Sequence, residues 1–478
     1  MTDRRIRCGW FGVLAAAGAG LLSLTSVTTP ALAHGDDTAL PFEVMGGSGM
    51  PLPDESWVDT IQSLFLPANA DPTALYTPEE FYPLSLDDLT LDDSVSQGVS
   101  DLNTALEPYL DSDTQVGVFG YSQSAIIASL EMEQLEAEGV PSSEVDFVLI
   151  GDLMNPNGGL FERFAGLDLS SLGIDFSGAT PSDDYPTTIY TLEYDTWADF
   201  PKYPLNILSD LNAFMSDTHF DYDTLTAEQV AQAIPLETTG GLTDYYIIPV
   251  DDLPLLDPLR DIPIVGNPLA DLLQPDLTAL VNLGYGDPDY GWSTTPANEA
   301  TEFGLFPSLA DYEKLPGLLI TGTQQGIENF IGDFTGTGPN PVSLSLDSLF
   351  SGLTDSSSST SSTLIDPDAL VSALTTLLND PEALSAVPGD ISSAVSDIGT
   401  TLDGSLTATQ DILQAALISV PEYDLSLVLD NLNNPIDALG LPIAADLALY
   451  ELLGGFESTV IDNAASSIVT SLTDLIPS

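Results

Sequence analysis

In 478 residues the chain sets 73 Asp and Glu against 7 Lys and Arg, a formal net charge of −66. Phosphates need clustered cations, so no nucleic acid partner is expected, and an anionic membrane surface would repel the molecule. Recognition therefore rests on apolar contact and hydrogen bonds, and the acidity serves mainly to keep the protein soluble.

At the N-terminus Arg4, Arg5 and Arg7 precede an apolar run from Gly9 to about Leu24, and Ala31-Leu32-Ala33 supplies a small-residue cleavage site. This is the pattern of a secretory signal over residues 1–33, which predicts a protein secreted to the cell envelope with His34 as its first mature residue. The single cysteine, Cys8, falls in the removed part, so the mature chain is held together by burial without disulfides. Its remaining cations are Arg163, Lys202, Arg260 and Lys314. No later run reads as long and apolar enough for an integral membrane span.

Five short β-branched and aromatic runs follow, Pro41 to Gly46, Gln115 to Gly120, Val145 to Gly151, Thr187 to Tyr194 and Tyr245 to Val250, alternating with helical patterns. That alternation predicts an α/β fold with a central, mostly parallel sheet and flanking helices. Between the second and third runs Ala125, Ile126, Leu130, Met132 and Leu135 keep one helical face, and Gly139-Val140-Pro141 ends the helix. Strand, sharp turn, helix and strand make a βαβ unit.

Gly120-Tyr121-Ser122-Gln123-Ser124 lies at the strand-to-helix junction of that unit, where a nucleophile elbow would expose the Ser122 hydroxyl on a strained turn. The Gly-x-Ser pattern recurs at Gly46, Gly98 and Gly291, but the residue two places after those serines is Met50, Leu102 or Thr295, too large for a tight crossing. A serine nucleophile needs a base with a pKa near the working pH, which points to histidine. There are two: His34 is the first mature residue, which leaves His219 as the base.

The acid is less determined. Asp195 directly follows the run Thr187 to Tyr194 and is preferred, Asp199 comes next, and Asp152 lies one strand too early. Its task would be to hold the imidazole tautomer. For the oxyanion, the backbone N–H of Gln123 is placed by the elbow, and Gly46-Gly47-Ser48-Gly49 offers further backbone N–H groups and the Ser48 hydroxyl. Such chemistry uses no cofactor and no metal.

These elements give a hydrolase unit over residues 34–335. A Ser/Thr-rich linker over 336–365, including the polar run Asp355 to Thr363, separates it from a mainly helical region over 366–478. There Asp366-Pro367 reads as a helix start, with Leu370, Val371, Leu374, Leu377 and Leu378 on one face. No chemistry is visible in this region. It is expected to pack on itself, on the hydrolase unit, or on an envelope or transporter partner.

The chain resembles the PE-PPE domain family of mycobacterial and related actinobacterial envelope proteins. The resemblance rests on MGGSGMPLP (Met45 to Pro53), GVFGYSQSA (Gly117 to Ala125), GDLMNPNGG (Gly151 to Gly159), YTLEYDTWADFPKYPLN (Tyr190 to Asn206) and LVNLGYGD (Leu280 to Asp287). It runs through most of residues 41–300 and is not expected to reach past about residue 340. It implies a cutinase-like α/β-hydrolase fold, and esterase or acyltransferase activity on a lipid ester or glycolipid, in some members between trehalose esters. The family's serine carries over to Ser122 and its histidine to His219, while its acid falls within Tyr194 to Asp199 without being fixed. The competing expectation is a catalytically silent envelope protein that keeps the fold as a binding scaffold.

Overall fold

The computed structural model describes residues 39–112, 114–341 and 381–473. The signal segment, the Asp355 to Thr363 run and the helix start at Asp366-Pro367 lie outside the described residues. In chain order the first half comprises β1 (Leu40–Val44), α1 (Glu55–Phe65), β2 (Ala70–Ala74), α2 (Leu91–Leu110), β3 (Val116–Tyr121), α3 (Gln123–Glu138), β4 (Val145–Ile150) and α4 (Leu160–Arg163). Then come a small hairpin of β5 (Asp168–Leu169) and β6 (Ile174–Asp175), β7 (Thr187–Leu192), α5 (Ile207–Phe214), α6 (Ala227–Ala231), β8 (Ile234–Pro235) and β9 (Thr243–Ile248). The helices α7 (Asp257–Arg260), α8 (Gly266–Asn282) and α9 (Leu309–Thr335) complete the hydrolase unit, and α10 (Pro381–Gln414), α11 (Val420–Asp430) and α12 (Pro435–Thr473) form the C-terminal region.

Seven strands make one sheet in the order β2-β1-β3-β4-β7-β9-β8. Every neighbouring pair is parallel except β8 with β9. All five expected strands are present. β2 was not expected: its sequence ADPTA carries Asp71 and Pro72, and it pairs only with β1 at the sheet edge, where neither residue breaks an inner ladder. β3 and β4 lie at the centre with Val116, Val118, Phe119, Val145, Phe147 and Leu149 buried, which is why they read as continuous apolar runs.

The chain leaves β1 for β2 on one side and returns for β3 on the other, so the strand order reverses between β1 and β3. Crevices form outside the carboxyl ends of strands at such a switch point. The turn carrying Ser122 ends β3 and the Gly46 to Gly49 loop ends β1, so topology alone brings them to one place.

The helices begin and end where the sequence provides caps. Asp54 accepts from Trp57 N at the start of α1, Thr90 accepts from Asp93 N at the start of α2, and Ser308 with Asp311 forms a capping box on α9. Gly139 closes α3 in the left-handed conformation (φ 80°), as its sequence predicts.

The C-terminal helices share the hydrolase core. Ala408, Ile412, Val420, Tyr423, Leu449 and Phe456 belong to the same buried cluster as Met45, Phe81, Phe200, Phe303 and Leu305. Full burial of such a side chain contributes about 1.5–3 kcal/mol. Polar contacts reinforce the joint: Tyr82 donates from its hydroxyl to Asp411 Oδ2 (2.6 Å), Ser171 Oγ to the Asp411 carbonyl (2.7 Å) and Asn463 Nδ2 to the Leu84 carbonyl (2.7 Å).

One expectation is corrected. The later part of α10, the π turn Ala415–Ser419 and α11 run on as one helical stretch, Ser396–Asp430, whose 35 residues are long and apolar enough by length and composition to cross a membrane. Its apolar character was hidden in the sequence because Asp411, Pro421 and Glu422 interrupt the run. In the structure Ala408, Ile412, Ala415, Val420, Tyr423 and Leu427 of this helix face the core.

Candidate active site

Ser122 stands between β3 and α3 at φ 58° and ψ −118°, a conformation that L-residues avoid. Strain of this kind persists only where the surroundings enforce it. Here the enforcing contacts are visible. The Ser122 N–H donates to the Ile150 carbonyl across the sheet (3.1 Å), and the Ser124 hydroxyl accepts from Tyr121 N (2.8 Å) while donating to Tyr121 O (3.1 Å). Serine at the fifth motif position thus clasps the turn. Gly120 is obligatory, because a Cβ there would stand 2.7 Å from the Ser124 carbonyl oxygen.

His219 sits in a 3₁₀ turn, Thr218–Phe220, just after α5, and is buried. Its Nε2 lies 2.8 Å from Ser122 Oγ, and its Nδ1 lies 2.8 and 2.9 Å from the two oxygens of Asp195. With the carboxylate beside Nδ1, that nitrogen carries the proton and donates it, which leaves the Nε2 lone pair to accept from the Ser122 hydroxyl.

Asp195 lies beyond the end of β7, wholly buried. Its Oδ1 accepts from the backbone N–H of Trp197 (2.9 Å) and Ala198 (3.2 Å), and its Oδ2 accepts from the Tyr222 hydroxyl (2.8 Å). Burial, helped by the nearby Asp195 charge, holds the Tyr222 hydroxyl well above its ordinary pKa, so it remains a donor. The carboxylate is oriented from every side except the one facing the imidazole.

The other two candidate acids do not meet His219. Asp199 Oδ2 accepts from Tyr194 N (3.0 Å), and burial pushes its carboxyl well above the usual range. Asp152 accepts from Thr180 Oγ1 (2.7 Å) and Met154 N (2.9 Å), and burial raises it to about 7. Both brace loops at the ends of strands.

The Gly46 to Gly49 loop packs against the elbow so closely that a Cβ on Gly47 would come within 3.1 Å of Ser122 Cβ and 2.9 Å of the Tyr121 ring. The Ser48 hydroxyl, expected to face an oxyanion, instead gives its proton to Gln123 Oε1 (2.8 Å). Gln123 Nε2 in turn donates to Ser94 Oγ (2.6 Å), which also accepts from Glu80 N (3.0 Å). Ser48 therefore acts as a tie between the loop and α3. Gln123 opens α3, so its N–H has no carbonyl one turn earlier to satisfy it.

Sequence reasoning missed three aromatic residues here. Tyr121 lies stacked on the imidazole (5.6 Å between ring centres, 29°) and donates from its hydroxyl to the His219 carbonyl (2.7 Å). Tyr222 and Trp197 are the others. Each lies within three residues of Ser122, Asp195 or His219, a proximity that was the available signal.

The PE-PPE domain profile matches residues 68–286. The Mycobacterium tuberculosis PPE family protein PPE28 is 41% identical over 453 residues, covering 91% of this chain and 67% of that protein. Esterase PE16 of Mycobacterium tuberculosis is 39% identical over 360 residues, 71% of this chain and 66% of its own length, so the chain spans about two thirds of either relative. Diacyltrehalose acyltransferase Chp2 from the same organism is 26% identical over 318 residues, 60% of this chain and 84% of that protein. Among solved structures, a cutinase-like protein from Cryptococcus sp. aligns at a TM-score of 0.24 with 16% identity, over 34% of this chain and 79% of that one. The PE-PPE domain profile ends at residue 286, within the expected limit, while an alignment over 91% of the chain must pass residue 340, so the likeness to PPE28 extends into the C-terminal helices. With the profile matched over residues 68–286 and 41% identity to a PPE family protein over 91% of its length, the chain belongs to the PE-PPE domain family.

Proposed function

We propose that this protein is an exported serine esterase or acyltransferase that works on lipid esters of a cell envelope through an acyl-enzyme. The observation that carries this reading is the 2.8 Å approach of Ser122 Oγ to His219 Nε2, at a strained elbow, with Asp195 behind the imidazole. His219 removes the Ser122 proton as Oγ attacks the ester carbonyl, and a tetrahedral oxyanion forms. The Gln123 N–H and a backbone N–H of the Gly46 to Gly49 loop stabilise it. Collapse expels the alcohol, which takes the proton from Nε2, and leaves the acyl group on Ser122. Water or a sugar hydroxyl, deprotonated by His219, then attacks the acyl group, and the departing Ser122 Oγ takes the proton back from Nε2.

The acidity of the chain favours an uncharged substrate, and the names of its relatives, an esterase and a diacyltrehalose acyltransferase, suggest acylated sugars. Two measurements test the reading. A fluorophosphonate probe should label the wild type and leave Ser122→Ala unlabelled; equal labelling of both would remove Ser122 as nucleophile. Incubation with a trehalose monoester should then give diester without matching free fatty acid if a sugar is the acceptor, and free acid alone if water is.

A further inference from the structure

Four rings surround the His219 imidazole. Tyr121 is stacked on it, Phe220 and Tyr222 meet it edge-on at 5.5 and 6.4 Å, and Trp197 stands at 6.2 Å, tilted by 55°. Tyr121, Phe220 and Tyr222 belong to the elbow or to the histidine's own turn. Trp197 passes the contact on to another part of the chain. Its indole meets Phe81 at 6.3 Å, and Phe81 meets Phe456 of α12 at 5.9 Å, both edge-to-face. Phe81 and Phe456 are 6% and 3% exposed, so both rings are buried where the two parts meet. The loop bearing Phe81 is pinned to the C-terminal helices by the Tyr82–Asp411 and Asn463–Leu84 hydrogen bonds.

The Cβ–Cγ bond and the hydrogen bonds at Nδ1 and Nε2 set the plane of the imidazole, but each of the two hydrogen bonds yields easily. Rings packed on its faces stiffen that plane. Trp197 matters doubly, because its backbone N–H also donates to Asp195 Oδ1 (2.9 Å), so a displaced Trp197 disturbs carboxylate and imidazole together.

We propose that Phe456 is a positioning residue for the active site: through Phe81 and Trp197 it holds His219 and Asp195 in line with Ser122, so that the C-terminal helices complete the catalytic machinery. This rests on the reading of Ser122, His219 and Asp195 as catalytic. The C-terminal region thereby acquires a role that its sequence does not display.

The test uses the full chain with Phe456→Ala, Phe456→Leu, Phe81→Ala, the Phe456→Ala/Phe81→Ala double variant, and Val460→Ala as a control in the same helix and core. Turnover of a short p-nitrophenyl ester is read beside the imidazole ¹⁵N–¹H spectrum, which has only His34 and His219 to report. Phe456→Ala should lower kcat by about 10- to 100-fold with little change in KM, and should shift or broaden the His219 Nδ1 proton signal. Phe81→Ala should do the same, and the double variant should lose little more than the worse single one, because the rings act in series. Phe456→Leu keeps the space filled and guards against a variant that does not fold; it should show a smaller loss of the same kind. Val460→Ala should lower the melting temperature and leave kcat and the His219 signal as in the wild type. Wild-type kcat and spectrum in Phe456→Ala would overturn the proposal, as would equal changes in Val460→Ala. A wild type that turns over no ester and leaves Ser122 unlabelled would instead overturn the catalytic reading, and the spectra alone would still decide the positioning.

Discussion

The imidazole of His219 is held in one tautomer because Asp195 offers only acceptors to Nδ1. Asp195→Asn would present an amide that can donate, turn the proton onto Nε2 and leave the Ser122 hydroxyl without a base. Turnover should fall by about 10⁴, while Asp199→Asn, which has no contact with the ring, should lose far less; kcat on one ester for both variants checks this. Tyr222→Phe removes the donor to Asp195 Oδ2 and the acceptor for Leu192 N (2.9 Å), both buried. The unmet Leu192 N–H and carboxylate should cost about 1–3 kcal/mol, read as a lower urea midpoint at unchanged slope.

At the scale of elements, the elbow and the Gly46 to Gly49 loop form one unit joined by Ser48 and Gln123. Gly47→Ala should press a methyl against Ser122 Cβ and the Tyr121 ring, so activity should fall steeply while far-ultraviolet circular dichroism and cooperative melting remain. Much of this unit was legible in the sequence. Ser122 was marked by its strand-to-helix setting, His219 by elimination, and Asp195 by its place just after a strand. The bond from Ser48 to Gln123 was not legible, since a hydroxyl in a glycine loop can turn either way until its neighbour across 75 residues is known. Nor was the docking of α10 to α12, because each of these helices shows only a weak apolar face and its partner surface is assembled from distant segments such as Phe81 and Leu305. β2 was hidden by Asp71 and Pro72, which only an edge strand tolerates.

Over the whole molecule the electrostatics give an unusual dependence on pH. Burial raises Glu79 to about 8, and Asp152 and Glu193 to about 7. Between the ordinary carboxylate range and these values the folded chain keeps protons that the unfolded chain has released. The contribution of these groups is therefore fully present at low pH and is lost as pH rises through about 7 to 8, the reverse of the usual acid lability. The urea midpoint should be higher at about pH 5.5 than at about pH 8, and Glu79→Gln should flatten that difference. Added salt should also raise the melting temperature, because it screens the self-repulsion of a chain with formal charge −66.

The hydrolase unit and the last three helices share one apolar cluster, the one that holds Met45, Phe81 and Leu305. Leu305 lies over Gly440 of α12, where even an added Cβ would approach its Cδ1 to 2.6 Å, and Phe81 is covered by Phe456. A chain cut after Pro341 would uncover an oily facet around Phe81 and Leu305 and should clump, or dissolve only in detergent. Recombination between relatives would then have to carry the tail along with the hydrolase unit it covers, as a stopper made for one bottle.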